Sequence, residues 1–253
     1  MKRRHFLQTS LGAVGFLFPA AFQPATKHLI LIVNCGARKK DYYENALISP
    51  NIHRIAREAF VFEQDHCERV ASHDAAYMEL LQGRESVAGG PPYPTILDYI
   101  GRGIQVDSIL EIPRVMQQYR PRVVVCRDSS NEVGHQSYEG YLRTIKRADE
   151  AIGRVFDWVV AHPYFQYNTA IVIRPEFGRD DEVNGDGQLH HSYGFYYTHR
   201  VTSIFWGPDF NQGVDQKTVI EARDLAPTLA TLFGVGAIHA EGRVVPGLLR
   251  AAS

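Results

Sequence analysis

Short continuous apolar runs alternate along this chain with longer segments in which apolar residues recur every three or four positions. His28 to Val33 (HLILIV), Val123 to Cys126 (VVVC) and Thr169 to Ile173 (TAIVI) carry almost no polar alternation, the pattern of strands buried on both faces, and Val201 to Trp206 is a further strand ended by Gly207-Pro208. Between them, Pro50 to Ala59, Ser72 to Leu81, Ile109 to Tyr119 and Asp224 to Phe233 have helical spacing. The longest helical pattern follows Val123 to Cys126. Its apolar positions are Tyr138, Tyr141, Leu142, Ile145, Ala148, Ile152, Val155, Phe156 and Val159, with Lys146, Arg147, Glu150 and Arg154 mostly opposite. Strands alternating with helices predict an α/β fold, a mostly parallel central sheet with helices on both faces. In such a sheet ligands bind beyond the carboxyl ends of the strands, and the loop after Cys126 presents Asp128, Asn131 and His135 there.

Phe60-Val61-Phe62 is a further pairing segment, and Gly89-Gly90-Pro91-Pro92-Tyr93-Pro94 predicts a rigid surface loop, a connector or a lid. The stretch from Arg179 to His190-His191 is too rich in Asp, Asn and Gly for a regular element. Asp224 is placed to cap the last helix, Pro227 is tolerated in its first turn and Gly234 stops it.

The amino terminus differs. Met1-Lys2-Arg3-Arg4-His5-Phe6-Leu7 precedes an apolar stretch, Leu11 to Phe22, that is too short to span a bilayer. This is the pattern of an export signal, assigned to residues 1–26, and the arginine pair followed by Phe6-Leu7 resembles the twin-arginine type that carries folded proteins. A general secretory signal, or an uncleaved anchor, with two ordinary basic residues at its start is the plainer alternative. Either route predicts a periplasmic or secreted protein. Residues 27–253 then form one α/β domain with no transmembrane span.

Charge narrows the partners. Lys and Arg number 27 against 28 Asp and Glu, and no lysine-rich run occurs. Neither nucleic acid nor an anionic membrane surface is favoured, which leaves a small molecule. Cys35, Cys67 and Cys126 form no disulfide framework or Cys-x-x-Cys metal motif; one disulfide or buried free thiols both fit.

Several ordered pieces resemble the alkaline phosphatase and sulfatase superfamily. They are Asn34-Cys35-Gly36 after the first strand; Ser49-Pro50-Asn51-Ile52-His53-Arg54-Ile55-Ala56; Leu80-Leu81-Gln82-Gly83-Arg84; Gly134-His135; Asn168-Thr169-Ala170; Phe205-Trp206-Gly207-Pro208; and Asp224-Leu225-Ala226-Pro227-Thr228-Leu229. The resemblance spans nearly the whole chain after the signal. It implies an alkaline-phosphatase-like core and, in active relatives, two zinc ions or one calcium ion beside a Thr, Ser or formylglycine nucleophile.

Carried over place by place, the resemblance puts the metal-ligand positions at Asn34, Asn131 with Asp128 nearby, His135, Glu176 and His191 or its neighbour His190. Phe177 stands where a further histidine is expected. Two amides in place of aspartates remove two negative charges, and Phe177 coordinates nothing. A two-zinc centre is therefore not expected; the positions leave room for one divalent cation, calcium or zinc, on Glu176, Asp128, His135 and His191 with the Asn34 oxygen, and do not require one. The nucleophile lies about ten residues before Gly83 in the family pattern, which makes Ser72 the nearest hydroxyl; the same serine is placed to cap a helix. Cys67 lacks the Cys-x-Pro-x-Arg context of a formylglycine precursor. His135 has an alternative as a loop histidine bonded to backbone, and Glu176 as an ion-pair partner of Arg174 or Arg179.

Two functions follow from the resemblance. One is an exported hydrolase or transferase of small anionic phosphate or sulfate esters with a reduced metal site. The other is a superfamily member that has lost catalysis and acts as a binding or scaffold protein.

Overall fold

The computed structural model describes residues 25–86 and 92–250. The expected export signal, apart from its last two residues, and the first part of the Gly-Pro stretch lie outside the described residues. In chain order the elements are β1 (His28–Asn34), α1 (Lys39–Tyr42), α2 (Pro50–Ala56), β2 (Phe60–His66), α3 (His73–Gln82), α4 (Ile96–Ile100), β3 (Gly103–Val106), α5 (Ile112–Tyr119), β4 (Val123–Asp128), α6 (Tyr138–Ala161), β5 (Thr169–Pro175), α7 (Tyr196–His199), β6 (Arg200–Trp206), β7 (Gly213–Asp215), β8 (Ile220–Glu221) and α8 (Leu225–Leu232).

They build one eight-stranded sheet in the order β3-β4-β1-β5-β6-β2-β7, with β8 also paired to β2. The fold class is the one expected from the sequence: a mostly parallel sheet flanked by helices. The exception is β6, antiparallel to both of its neighbours, β5 and β2. Hydrophobic periodicity is blind to strand direction, so this reversal had no signal. Because β6 runs backwards between them, β2 points the same way as β1, and its carboxyl end shares an edge with those of β1, β4 and β5.

Alternation along the central strands feeds two cores. Ile30, Ile32, Val124, Cys126, Ile171 and Ile173 face one side with Ile52, Ile55, Val115, Tyr141, Ile145 and Ile152 from α2, α5 and α6. Leu29, Leu31, Val33, Val123, Val125 and Val172 face the other with Leu80, Leu81, Ile96, Leu225 and Leu229 from α3, α4 and α8. All seven residues of β1 and of β5 are buried, as their unbroken apolar runs predict.

The long α6 organises one face. Its Asp149, fully buried, accepts hydrogen bonds from the backbone N–H of Ile52 (2.7 Å) and Asn51 (3.2 Å). A carboxylate from another helix therefore satisfies the exposed donors at the start of α2, and the Ser49 hydroxyl makes no capping bond there. One turn on, a Cβ at Gly153 would lie 2.4 Å from Asn51 Cγ, so only glycine admits this approach. Cys35, Cys67 and Cys126 are all buried free thiols. No helix among the described residues is long and apolar enough to cross a membrane.

Candidate functional site

Parallel neighbours place chemistry at the carboxyl edge. Asn34 pairs in register with Asp128 on one side and Pro175 on the other. The next residues, Cys35 and Glu176, therefore emerge together, and a 3₁₀ turn, Ser130–His135, follows β4 beside them. The β2–α3 connection delivers His73 as the first residue of α3 to the same edge.

The side chains converge on His73. Its Nδ1 is 3.1 Å from Cys35 Sγ and in direct contact with Glu176 Oε1. Its Nε2 is 2.9 Å from Glu132 Oε1 and 3.1 Å from His191 Nε2. The Cys35 thiol donates to Glu132 Oε1 at 2.8 Å. His135 stacks edge-on to His191, ring centres 4.8 Å apart, and its Nδ1 is 2.7 Å from His190 Nδ1. Nitrogens of His73, His135 and His191 all lie within 4.8 Å of one another, and so do donor atoms of Cys35, His73 and Glu176. Phe177, fully buried, packs its ring 4.7 Å from those of both His73 and His191, closing the cluster with an apolar wall.

Supporting contacts fix these groups. His191 Nδ1 donates to Val70 O at 2.6 Å, which leaves the Nε2 lone pair turned toward His73. Arg179, fully buried, donates to the carbonyls of Gly36 (2.6 Å), Leu189 (2.7 Å) and Asn131 (2.7 Å), so its charge lies behind Glu132. Arg174 pairs with Asp65. Neither arginine takes Glu176, whose Oε2 is buried without a partner among the described residues.

Asn34 gives its amide N–H to Asp128 Oδ2 at 3.4 Å, and Asp128 Oδ1 accepts from Ser130 N. Asn131 is fully buried, with its Oδ1 taken by the Thr144 hydroxyl of α6. The Ser72 hydroxyl accepts from Ala75 N and caps α3. His135, Glu176 and His191 are thus in the cluster; Asn34 and Asp128 bond each other at the neighbouring strand ends, Asn131 turns under α6, and Ser72 is engaged at the helix start.

Three members were not read from the sequence: Cys35, His73 and Glu132. A signal for one existed. Residue 73, not 72, lies ten positions before Gly83, at the place where the family pattern has its nucleophile.

The site's electrostatics follow from burial. Burial, then the Glu176 and Glu132 carboxylates, pushes the Cys35 thiol far up, so it is neutral without a cation. Burial alone would raise Glu132, yet the Cys35 thiol bond, His73 and Arg179 hold it below the usual carboxylate value. Burial pushes His191 down to about 4 and lowers His135, with Arg179 acting in the same sense on both.

Lowered histidines give a signed prediction. Between pH 6.5 and about 4 the unfolded chain binds more protons at residue 191 than the folded chain. The metal-free protein therefore loses stability as pH falls through that window, and the loss levels off below it. Discounted for the partial exposure of the ring, the His191 contribution is about 1–2 kcal/mol. Denaturant titrations from pH 7 to pH 4 check this: His191→Gln should flatten the slope, and an unchanged slope refutes the assignment.

A donor set of three imidazoles, a thiol and two carboxylates, one with an orphaned buried oxygen, suits a single ion of the zinc class. It does not suit calcium, which takes six to eight oxygens.

No protein-family model matches the chain, and no curated protein does. Solved structures do. The crystal structure of Ps i-CgsB in complex with k-i-k-neocarrahexaose superposes with a TM-score of 0.68 at 14% identity, covering 86% of this chain and 75% of that one. A 2-O GAG sulfatase gives 0.69 at 11% identity, covering 83% and 71%. A protein in the alkaline phosphatase superfamily from Vibrio parahaemolyticus gives 0.63 at 16% identity, covering 88% and 70%. The chain therefore has the alkaline-phosphatase- and sulfatase-like α/β fold.

Proposed function

We propose that this chain is an exported hydrolase or transferase of phosphate or sulfate esters that works with one zinc-class ion in a reduced site. The observation that carries it is the convergence of His73, His135 and His191, from three separate segments, within 4.8 Å at the carboxyl edge. The fold shared with sulfatases supports the substrate class as an analogy only.

Those three imidazoles would hold the ion, with Glu132, Glu176 or the Cys35 thiolate completing its shell. When bound, such an ion polarises an ester oxygen and offsets charge developing on the transferred group. The remaining roles belong to the chain. Cys35, His73, Asp107, Arg127, Ser129 and Glu132 line a cavity of about 300 Å³, in which the Arg127 guanidinium can bind a phosphoryl or sulfuryl oxygen. Glu132, held ionised, accepts a proton from attacking water. Water is the nucleophile in this scheme, because the Ser72 hydroxyl is committed to the helix cap.

A non-catalytic binding protein is the second reading, favoured by the helix-cap role of the Ser72 hydroxyl and by the Phe177 wall. Metal analysis of the exported protein, with hydrolysis assays on p-nitrophenyl phosphate, bis-p-nitrophenyl phosphate and p-nitrophenyl sulfate, separates the two. One bound ion with turnover that disappears in His73→Ala supports the enzyme. One bound ion without turnover, or no bound ion and no turnover, supports the binding protein and sinks the enzyme.

A further inference from the structure

The opposite, amino edge of the sheet carries a second cavity, of about 340 Å³. Its position follows from strand order. β3, β4 and β1 are parallel neighbours, so the residues just before them, Arg102, Arg122 and Lys27, meet at one place, where Arg122 N bonds Arg102 O (3.1 Å) and Leu29 N bonds Arg122 O (2.8 Å). Arg120, after α5, joins them.

Four cations therefore line one concavity, and no lining residue is acidic. Among the described residues, none of the four forms an ion pair. Two of them stand over aromatic rings: the Arg120 guanidinium lies 4.5 Å from the Tyr164 ring centre and that of Arg122 5.1 Å from Phe233. Arg122 also donates to Ile100 O at 2.7 Å, and Arg102 to Arg120 O at 3.3 Å. The heads are thus held in place while donors remain unspent.

The backbone gives a second feature that points to a ligand. Arg102 and Arg120, at φ 51° and 45°, are the only non-glycine residues with positive φ among the described residues. Arg120 occupies the left-handed position closing α5, where glycine is usual. Backbone strain of this kind is retained where the side chain is needed.

We propose that this amino-edge cavity binds a small, multiply charged oxyanion of the phosphate or sulfate type. Unpaired like charges repel one another, and an oxyanion would offset them while accepting hydrogen bonds from the free guanidinium donors. The site is independent of the histidine cluster, which lies at the other end of the strands.

Calorimetric titration with inorganic pyrophosphate at low salt tests the proposal, with sulfate and acetate as further probes. Pyrophosphate should bind more tightly than acetate and weaken as salt is raised. Arg102→Gly with Arg120→Gly removes two charges and relieves both strained backbones, so it should fold and lose at least tenfold in affinity. Lys27→Glu should also lose tenfold, whereas Arg143→Ala on the exposed face of α6 should not change binding. No binding at millimolar pyrophosphate, wild-type affinity in the glycine variant and in Lys27→Glu, or an equal loss in Arg143→Ala would each overturn the proposal.

Discussion

His73→Ala is expected to cut zinc affinity by about 100-fold or more, a larger effect than any other single change at the carboxyl edge. His73 is the one residue common to both groups of converging donors, the three histidines and the Cys35–Glu176 pair. Its ring cannot be replaced from nearby, because His190 already bonds His135 Nδ1 and Gln188. It is also rigidly placed, as the first residue of a helix whose Ser72 cap fixes the entering backbone. An ion bound only by the folded chain at a thousand times its dissociation constant adds about 4 kcal/mol of stability. The rise in thermal midpoint on adding zinc should accordingly shrink sharply in His73→Ala, while Ser72→Ala should keep nearly all of it. Competition against a chromogenic chelator measures the affinity directly. Equal zinc affinity in wild type and His73→Ala would rule out this cluster as the metal centre.

What the sequence exposed and what it hid have physical causes. β1, β4 and β5 were legible because strands covered on both faces must be apolar throughout, and α6 because it has one wet face over many turns. β3 was not: it is an edge strand, and Gly103 and Gln105 are exposed, so no buried run marks it. β7 and β8, at three and two residues, are too short to show a period. In the site, His135 and His191 could be named because histidine pairs in loops are uncommon and their places follow the family order. Glu132 lay in a polar turn where a carboxylate is unremarkable. Cys35 reads from the sequence as a disulfide partner or a buried free thiol, not as a donor, and His73 stands beside the hydroxyl to which the family pattern points. Convergence of side chains from β1, β4, β5 and α3 is a property of the sheet order, which no local pattern contains.

The largest effect on stability is expected at the Arg174–Asp65 pair. Arg174, fully buried near the end of β5, donates from Nε and Nη2 to the two oxygens of Asp65 on β2, at 2.8 Å each. β6 lies between those strands, so the pair bridges over it, and the Ser203 hydroxyl of β6 also bonds Asp65. Removing either partner leaves an uncompensated buried charge. Asp65→Ala or Arg174→Met should therefore each cost about 3–5 kcal/mol, a large share of the 5–15 kcal/mol typical of a domain. Replacing both, Asp65→Leu with Arg174→Met, removes both charges and should recover much of that loss, because the desolvation penalty disappears together with the attraction. Urea titrations of the two single variants and the double variant give the comparison. A double variant no more stable than the worse single would refute the desolvation account. The consequence reaches the candidate site, since Arg174 Nη1 also donates to Pro175 O at 2.7 Å and Glu176 O at 3.3 Å. Those bonds hold the backbone turn that presents Glu176 to His73. Even a well-folded double variant should then bind zinc more weakly than the wild type, separating the pair's part in stability from its part in placing that carboxylate.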